Sequence, residues 1–279
     1  MRPVLFSVLG LDVQSYGVSK AAAALLAGYL LGRAFQRRGL AEDDAYGLVL
    51  WATLWGFVGA KIYFLLEHAG ELSLHHLGGS GFTWYGGLLG GVVAFLVMVR
   101  RRGLPAATVA DAAAVPLAVA YGVGRVGCWL SGDGTYGTPT GLPWGEAFPH
   151  GMVPTDVPVH PTPLYEALAA VVIATALWAL QRRTRPPLEV FGAYLVLSGV
   201  SRLAVEYLRI NEPVLLGLTQ PQLWAVAGAV VGITLVVRGR LGARRPGPAP
   251  TADPTRGDPA GSAQNTGLPP VTPSTVPET

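Results

Sequence analysis

The most prominent feature of the chain is a series of long apolar runs that are nearly free of charge and are separated by shorter polar stretches. Each run is close to the ~20 residues that an α-helix needs to cross about 30 Å of hydrocarbon. Such runs are expected in a bilayer rather than in a soluble core. The pattern therefore predicts an all-α integral membrane protein with seven transmembrane helices, at residues 16–34, 46–66, 82–99, 110–130, 163–180, 190–208 and 221–237.

The composition supports the same fold class. Hydrophobic residues make up 51% of the 279 residues and charged residues only 13%, whereas about a quarter of the residues in a soluble domain are charged. The single cysteine, Cys128, excludes an internal disulfide bond and a metal site built from several cysteines. The first fifteen residues contain Asp12 and lack the features of a cleavable signal peptide, so we expect the first helix to act as the insertion signal.

Positively charged residues predict the orientation of the helices. Arginine clusters follow the first, third, fifth and seventh predicted helices. Because cytoplasmic loops of membrane proteins carry an excess of arginine and lysine, this pattern places the N-terminus outside and the C-terminus in the cytoplasm. The clustered residues are Arg33, Arg37, Arg38, Arg100, Arg101, Arg102, Arg182, Arg183, Arg185, Arg238, Arg240, Arg244 and Arg245.

Two polar regions complete the predicted organisation. Residues 239–279 are rich in proline, glycine, threonine and serine and lack apolar periodicity, so we expect a disordered cytoplasmic tail. Residues 1–238 form the predicted membrane domain, with an extracytoplasmic loop at about 131–162. This loop has many turn residues, yet it keeps aromatic and ionisable side chains such as Trp144 and His160, which is typical of functional loops.

Five further cations do not lie in the predicted cytoplasmic loops. They lie inside predicted helices or at the outer ends of these helices. A charge at the centre of a membrane helix costs roughly 2.5–3.5 kcal/mol, so such residues are usually paired or line a cavity. Lys20 and Arg209 are close enough to helix ends to extend to the interface. Arg202, Glu206 and Arg209 are spaced for an intrahelical ladder of ion pairs. The five cations are Lys20, Lys61, Arg125, Arg202 and Arg209.

Arg125 is the least easily explained of these five. Three glycines surround it, at positions 122, 124 and 127, and they allow another helix or a ligand to approach closely. A guanidinium group matches phosphate in charge and in forked geometry, so this segment predicts an anion site. The same glycines read as G-x-G-x-x-G, but no strand precedes them, and we reject dinucleotide binding. Cys128 is interpreted as small apolar filler rather than a nucleophile.

Six segments occur in an order that resembles one known family, and together they span roughly residues 10–238. They are Tyr16-Gly17, Gly86-Gly-Leu-Leu-Gly90, Gly124-Arg-Val-Gly127, Gly137-Thr-Pro-Thr-Gly-Leu-Pro-Trp-Gly145, His160-Pro-Thr-Pro-Leu-Tyr-Glu166 and Ser201-Arg-Leu-Ala-Val-Glu-Tyr-Leu-Arg209. The fourth and fifth segments are the most specific. The chain thus resembles the prolipoprotein diacylglyceryl transferases, whose seven spans and outside N-terminus agree with the charge pattern.

The resemblance implies a reaction in the bacterial plasma (inner) membrane. A diacylglyceryl group moves from phosphatidylglycerol to the lipobox cysteine thiol of a prolipoprotein, forming a thioether and releasing glycerol phosphate. The implied partners are phosphatidylglycerol, prolipoprotein precursors and membrane lipids, with no nucleic acid. No cofactor or metal is expected, and His75 and His76 lie next to each other in a polar loop, where we interpret them as solvated.

The resemblance also assigns roles to individual residues. Arg125 and Arg202 would bind the phosphate and stabilise the leaving group, and Tyr16 would lie near the headgroup. The implied catalytic residues are Arg125, Arg202, Tyr85 and Asp133. The implied substrate-binding residues are Tyr16, Gly137, His160, Tyr165, Glu166 and Glu206.

Three positions depart from the usual pattern of the family. Tyr85 stands where a histidine usually precedes the glycine pair, Cys128 replaces an asparagine, and Asp133 replaces a glutamate. Tyrosine has an ordinary pKa near 10 and is a poor base at neutral pH. The acceptor of the thiol proton therefore stays open between Tyr85, Asp133, His160, Glu166 and water.

Two other functions are compatible with the sequence. One is a relative of the family that acts on another lipid or another acceptor. The other is a non-catalytic protein that binds or transports anionic lipids. A transporter of this kind would favour broken helices in two related halves, and the sequence shows no such repeat.

Overall fold

A computed structural model describes residues 2–8, 11–71 and 82–243. The described residues form seven α-helices, a short 3-10 helix at Ala69–Glu71, and six strands. The helices are α1 (Ser15–Gln36), α2 (Glu42–Glu67), α3 (Trp84–Arg101), α4 (Ala106–Ser131), α5 (Thr162–Gln181), α6 (Glu189–Glu206) and α7 (Gln220–Ala243). The strands pair as three antiparallel hairpins, β1 (Val4–Val8) with β2 (Leu11–Gln14), β3 (Glu146–Phe148) with β4 (Thr155–Val159), and β5 (Pro213–Leu215) with β6 (Leu218–Thr219).

The helices agree with the apolar runs, and the strands were not predicted. Five described helices, α1, α2, α4, α5 and α7, are long and apolar enough to cross a membrane. The protein is therefore a multi-pass membrane protein. Helices α3 and α6 have 18 residues each. Each hairpin has strands of two to five residues, which are too short to leave a clear alternating pattern in the sequence.

Two apolar clusters hold the helices together. The first contains side chains of the four helices α1, α2, α3 and α4. Phe35, Leu48 and Val109 are fully buried in it. The second joins α4 to α5 and α6, and Leu177 is fully buried in it. Helix α4 belongs to both clusters and packs against α1, α5 and α6.

The glycines around Arg125 make room for neighbouring helices. A methyl group added to Gly127 would overlap the Ser19 side chain of α1. One added to Gly122 would lie 3.0 Å from the Ala170 Cβ of α5. Of the two explanations offered by the sequence, close approach of helices therefore accounts for these two glycines.

The arginine-rich helix ends lie on one side of the bundle. Arg102 follows α3 and pairs with Asp44 in the first turn of α2. Arg240 of α7 lies 2.6 Å from the buried Glu189 at the start of α6, and Arg185, after α5, lies 3.4 Å from the same carboxylate. Each of these contacts joins the end of an odd-numbered helix to the start of an even-numbered helix.

Asp111 fixes three helices at the same side. Its carboxylate oxygens each accept a 2.8 Å hydrogen bond, from the backbone N–H groups of Leu188 and Phe191. These groups belong to the start of α6, where unpaired N–H groups favour a negative charge. The Gln181 side chain at the end of α5 donates to the Asp111 carbonyl at 2.7 Å. One acidic residue of α4 therefore links α4, α5 and α6.

The C-terminal boundary differs from the prediction. Helix α7 continues through Gly239 to Ala243, so the boundary expected between residues 238 and 239 lies inside this helix. The rest of the predicted tail lies outside the described residues, and its disorder stays a prediction. The interpretation of His75 and His76 as solvated also stays a prediction, because both residues lie between the described ranges 11–71 and 82–243.

Candidate active site

Three arginines and two glutamates meet at the end of the bundle opposite the arginine-rich ends. They come from α4, from the start of α5, and from α6 and the chain that follows it. The Glu166 side chain is 1% exposed, and the three guanidinium groups belong to side chains that are 10–19% exposed. The cluster has one positive charge in excess. Its members are Arg125, Glu166, Arg202, Glu206 and Arg209.

Glu166 is the centre of this cluster. Its Oε2 lies 3.1 Å from Nε of Arg125, and its Oε1 lies 2.5 Å from NH1 of Arg202. The Tyr121 hydroxyl donates a further 2.6 Å hydrogen bond to Oε1. The two predicted phosphate-binding arginines therefore share one carboxylate.

Glu206 supports the cluster from α6. Its Oε2 lies 2.9 Å from NH2 of Arg202, so this part of the predicted ion-pair ladder is confirmed. Its Oε1 accepts hydrogen bonds from Asn211 at 2.6 Å and from Thr219 at 2.7 Å. Because Arg202 also contacts Glu166, it bridges the two acids and does not form a closed pair with Glu206.

Arg209 does not extend to the interface, which the sequence had allowed, and that interpretation is wrong. Helix α6 ends at Glu206, and the chain then turns so that Arg209 points inward. Its NH1 lies 3.7 Å from Glu166, its Nε lies 3.8 Å from Glu206, and neither nitrogen has a hydrogen-bond partner. Burial, followed by the charge of Arg202, lowers the pKa of Arg209. A buried guanidinium with unused donors is suited to an anionic guest.

A second group of polar side chains surrounds the other face of Arg125. NH1 of Arg125 lies 3.9 Å from the Cys128 sulfur. Tyr16 and Asp133 are close enough to Cys128 to interact with it electrostatically. The Lys20 ammonium group lies 4.8 Å from the centroid of the Tyr16 ring. Arg125 therefore lies between the buried acids and a partly exposed polar group.

Tyr85 faces the cluster from α3. Its ring stacks with that of Trp224 at a centroid distance of 6.4 Å. Arg202 and Glu206 are close enough to the phenol to interact with it electrostatically. The residue that stands in the place of the usual histidine thus belongs to the same region.

The outer loop holds the chain that carries Arg209. Gly137 pairs with Arg209 in an isolated β-bridge, and the Thr138 N–H donates to the Leu208 carbonyl at 2.7 Å. The Gly137 N–H also donates to the His160 carbonyl at 2.8 Å. A methyl group at Gly137 would overlap the Leu208 carbonyl. Gly137 therefore acts through the backbone.

The side chains of His160 and Tyr165 form a different group. Nδ1 of His160 lies 3.3 Å from the Tyr165 hydroxyl, which accepts a 2.9 Å hydrogen bond from the Trp144 indole. These contacts brace the loop against the start of α5. The structure thus gathers the predicted arginines and glutamates closely, and it places His160 and Tyr165 in their own loop contacts.

Tyr121 and Arg209 were not among the predicted site residues. Tyr121 precedes Arg125 by four residues, which puts both on one helix face. Arg209 follows Glu206 by three residues, but the sequence did not show that the helix ends between them. The signal for Tyr121 is its spacing from Arg125, and the signal for Arg209 is the ion-pair ladder with Glu206 that the sequence offers as the alternative to an exposed helix end.

The model of the prolipoprotein diacylglyceryl transferase family matches residues 3–238. This chain belongs to that family. Among its relatives is a phosphatidylglycerol–prolipoprotein diacylglyceryl transferase from Clostridium tetani, 31% identical over 215 residues, which cover 75% of this chain and 86% of the relative. A protein of the same description from Geobacter sulfurreducens is 32% identical over 248 residues, covering 84% of this chain and 94% of the relative.

A third relative of the same description, from Nitratidesulfovibrio vulgaris, is 34% identical over 212 residues. These residues cover 75% of this chain and 78% of the relative. The resemblance inferred from the six segments is therefore confirmed. In this prolipoprotein diacylglyceryl transferase family member, the arginine–glutamate cluster contains residues of three of those segments, at 124–127, 160–166 and 201–209.

Proposed function

We propose that this protein transfers the diacylglyceryl group of phosphatidylglycerol to the lipobox cysteine of prolipoproteins, the first step of bacterial lipoprotein maturation. The observation that supports this most is the arginine cluster, in which three guanidinium groups share two buried carboxylates. A cluster with one excess positive charge attracts one negatively charged phosphodiester. The family membership supplies the reaction that such a site would serve.

The phosphate of the lipid would bind to the guanidinium donors that the two glutamates leave free. Each guanidinium group has five N–H donors in a planar fork, which matches phosphate oxygens. Glu166 holds Arg125 and Arg202 in fixed positions. Because the donors are already oriented, little reorganisation is needed when negative charge develops on the leaving phosphate.

The reaction exchanges one bond for another at the glyceryl carbon. The thiolate sulfur of the lipobox cysteine attacks the carbon bonded to the phosphate ester oxygen, and a C–S bond forms as the C–O bond breaks. The electron pair of the C–O bond leaves with glycerol phosphate. The thiol proton must go to a base, because the thiolate is the nucleophile.

Asp133 is the proton acceptor that we propose. Both oxygens of Glu166 are already engaged by arginines, Oε2 by Arg125 and Oε1 by Arg202. Asp133 lies beside Cys128, on the partly exposed face of Arg125. Its Oδ1 is oriented by the backbone N–H of Thr135 at 3.1 Å and by the Thr135 hydroxyl at 2.6 Å.

We expect Asp133→Asn to lower kcat by about 10²–10⁴-fold, the usual contribution of a general base. The amide keeps the oxygen that Thr135 orients, so folding should be retained. Asp156→Asn, on the exposed part of the outer loop, is the matched control. If Tyr85→Phe lost the activity instead and Asp133→Asn kept it, the proton would go to the phenol.

The proposal includes seven membrane crossings, with the N-terminus and the active site outside the cytoplasm of a bacterium. The arginine clusters and their shared position at one side of the bundle support this arrangement. The 131–162 loop, which contains the β3–β4 hairpin, would then meet prolipoproteins after these have been translocated across the membrane.

The function is tested by mass spectrometry of the product. Purified protein in phosphatidylglycerol vesicles should add the mass of one diacylglyceryl group to a lipobox peptide, but not to the same peptide with serine in place of cysteine. A membrane-impermeant peptide should be modified in spheroplasts but not in sealed inverted vesicles. A folded protein that gives no modified peptide with phosphatidylglycerol would contradict the proposed reaction, and modification only in inverted vesicles would contradict the orientation.

A further inference from the structure

A groove lies on the surface of α4 between α1 and α5, near the arginine-rich helix ends. Helices α1 and α5 both pack against α4, but within the described ranges they do not pack closely against each other. The groove contains a cavity of about 240 Å³ whose floor is formed by small apolar residues of α4. Its principal lining residues are Tyr29, Arg33, Arg37, Pro116, Trp178 and Gln181.

Unpaired positive charge collects at this groove. Arg33 and Arg37 are four residues apart and share one face of α1. Among residues 2–8, 11–71 and 82–243, no carboxylate lies within ion-pair distance of either. The Arg182 guanidinium carbon lies 3.5 Å from the centroid of the Trp178 ring and adds a third cation. Burial, followed by the charge of Arg37, also lowers the pKa of Arg38.

The edges of the groove are apolar and face outward. Tyr29 on α1 and Trp178 on α5 both line the cavity, and they are 51% and 47% exposed. In a multi-pass membrane protein such side chains meet acyl chains, and tyrosine and tryptophan favour the level of the lipid headgroups. A ligand of this groove therefore meets cations at one end and hydrocarbon along its length.

This groove is separate from the candidate active site. Ala112, in its floor, and Arg125 are thirteen residues apart on α4, which is about 20 Å along the helix axis. The groove lies towards the arginine-rich ends, and the arginine–glutamate cluster lies towards the other end. No residue of the cluster lines the cavity.

We propose that this groove binds one anionic phospholipid as a resident ligand that is not consumed. Its phosphodiester lies between Arg33 and Arg37, and one acyl chain follows the apolar residues around Pro116. The Gln181 side chain is fixed by its 2.7 Å hydrogen bond to the Asp111 carbonyl, so this wall of the groove is formed before the lipid arrives. The lipid would fill the gap between α1 and α5.

The test uses photoactivatable phosphatidylglycerol, titrated into phosphatidylcholine nanodiscs that contain the full chain. The readout is the yield of cross-linked peptide that contains Trp178, as a function of the mole fraction of the probe. We expect Arg33→Gln with Arg37→Gln to raise the half-saturating mole fraction about 30-fold, because each arginine near a headgroup contributes roughly fivefold. Arg100→Gln with Arg101→Gln removes the same charge from the same side, and it should leave the titration unchanged.

Three outcomes would overturn the proposal. The first is equal labelling of the Trp178 peptide by a photoactivatable phosphatidylcholine. The second is an unchanged titration in the Arg33/Arg37 double variant, with its fold verified by circular dichroism. The third is complete displacement of the probe by millimolar inorganic phosphate, which would indicate a site for a free anion. Cross-links near Arg125 report the active site separately, so a failure of the proposed transfer reaction does not affect this result.

Discussion

Arg125→Ala is expected to lower kcat/KM for diacylglyceryl transfer by at least about 10³-fold. This guanidinium group is held by Glu166 at 3.1 Å and directs its other donors towards Cys128 and the partly exposed side of the cluster. Its loss removes a fixed donor for the leaving phosphate, and the removal of one such donor typically costs about 10²–10³-fold. The charge of the guanidinium is lost as well. The measurement is the rate of thioether formation on a lipobox peptide.

The fold should survive this substitution. Without Arg125 the cluster keeps Arg202 and Arg209 against its two carboxylates, so its net charge becomes zero. Arg125→Lys keeps the charge but lacks the fork, and we expect a smaller loss, of roughly 10–100-fold. Arg101→Ala, at the opposite side of the bundle, is the control and should retain full activity. Near-normal activity of a folded Arg125→Ala protein would refute the role in phosphate binding.

Glu166→Gln is expected to have the largest effect on stability, a loss of about 3–5 kcal/mol in the free energy of unfolding. Glutamine keeps the shape of the side chain but removes the charge that Arg125, Arg202 and Arg209 share. The cluster would then have two positive charges in excess, in a place where Glu166 is 1% exposed. Reversible denaturation in detergent micelles measures the change, and Glu212→Gln, on the exposed segment after α6, is the matched control.

A second substitution makes this prediction sharper. Glu166→Gln combined with Arg209→Gln returns the cluster to one excess positive charge. If electrostatic repulsion causes the instability, the double variant is more stable than Glu166→Gln alone, although it has lost a further side chain. Simple addition of the two single effects would instead indicate that Glu166 stabilises the fold through packing. Wild-type stability of the single variant would show that the shared carboxylate is unimportant.

The helices and the two main arginines could be predicted because their causes are local. A run of about 20 apolar residues determines a membrane helix, and an arginine within such a run requires a partner wherever that partner lies. The partner itself could not be predicted. Glu166 follows an outer loop and reaches arginines of α4 and α6, and only the packing of α4, α5 and α6 brings these three residues together.

The error at Arg209 has a similar origin. The spacing of Glu206 and Arg209 predicts one continuing helix, and a residue near the end of such a helix can reach the interface. The helix ends at Glu206 because the chain that follows is drawn onto the outer loop by the Thr138–Leu208 hydrogen bond and the Gly137–Arg209 bridge. These are long-range backbone contacts, and they leave no periodic signal in the sequence.

Asp111 and Glu166 together have a mechanical consequence. Each acid joins α4 to α5 and α6, one at either side of the bundle, so these three helices form a frame that is braced at its top and its base. A frame braced in this way resists splaying. We therefore expect a two-tailed lipid to enter the interior past other helices and not between α4, α5 and α6.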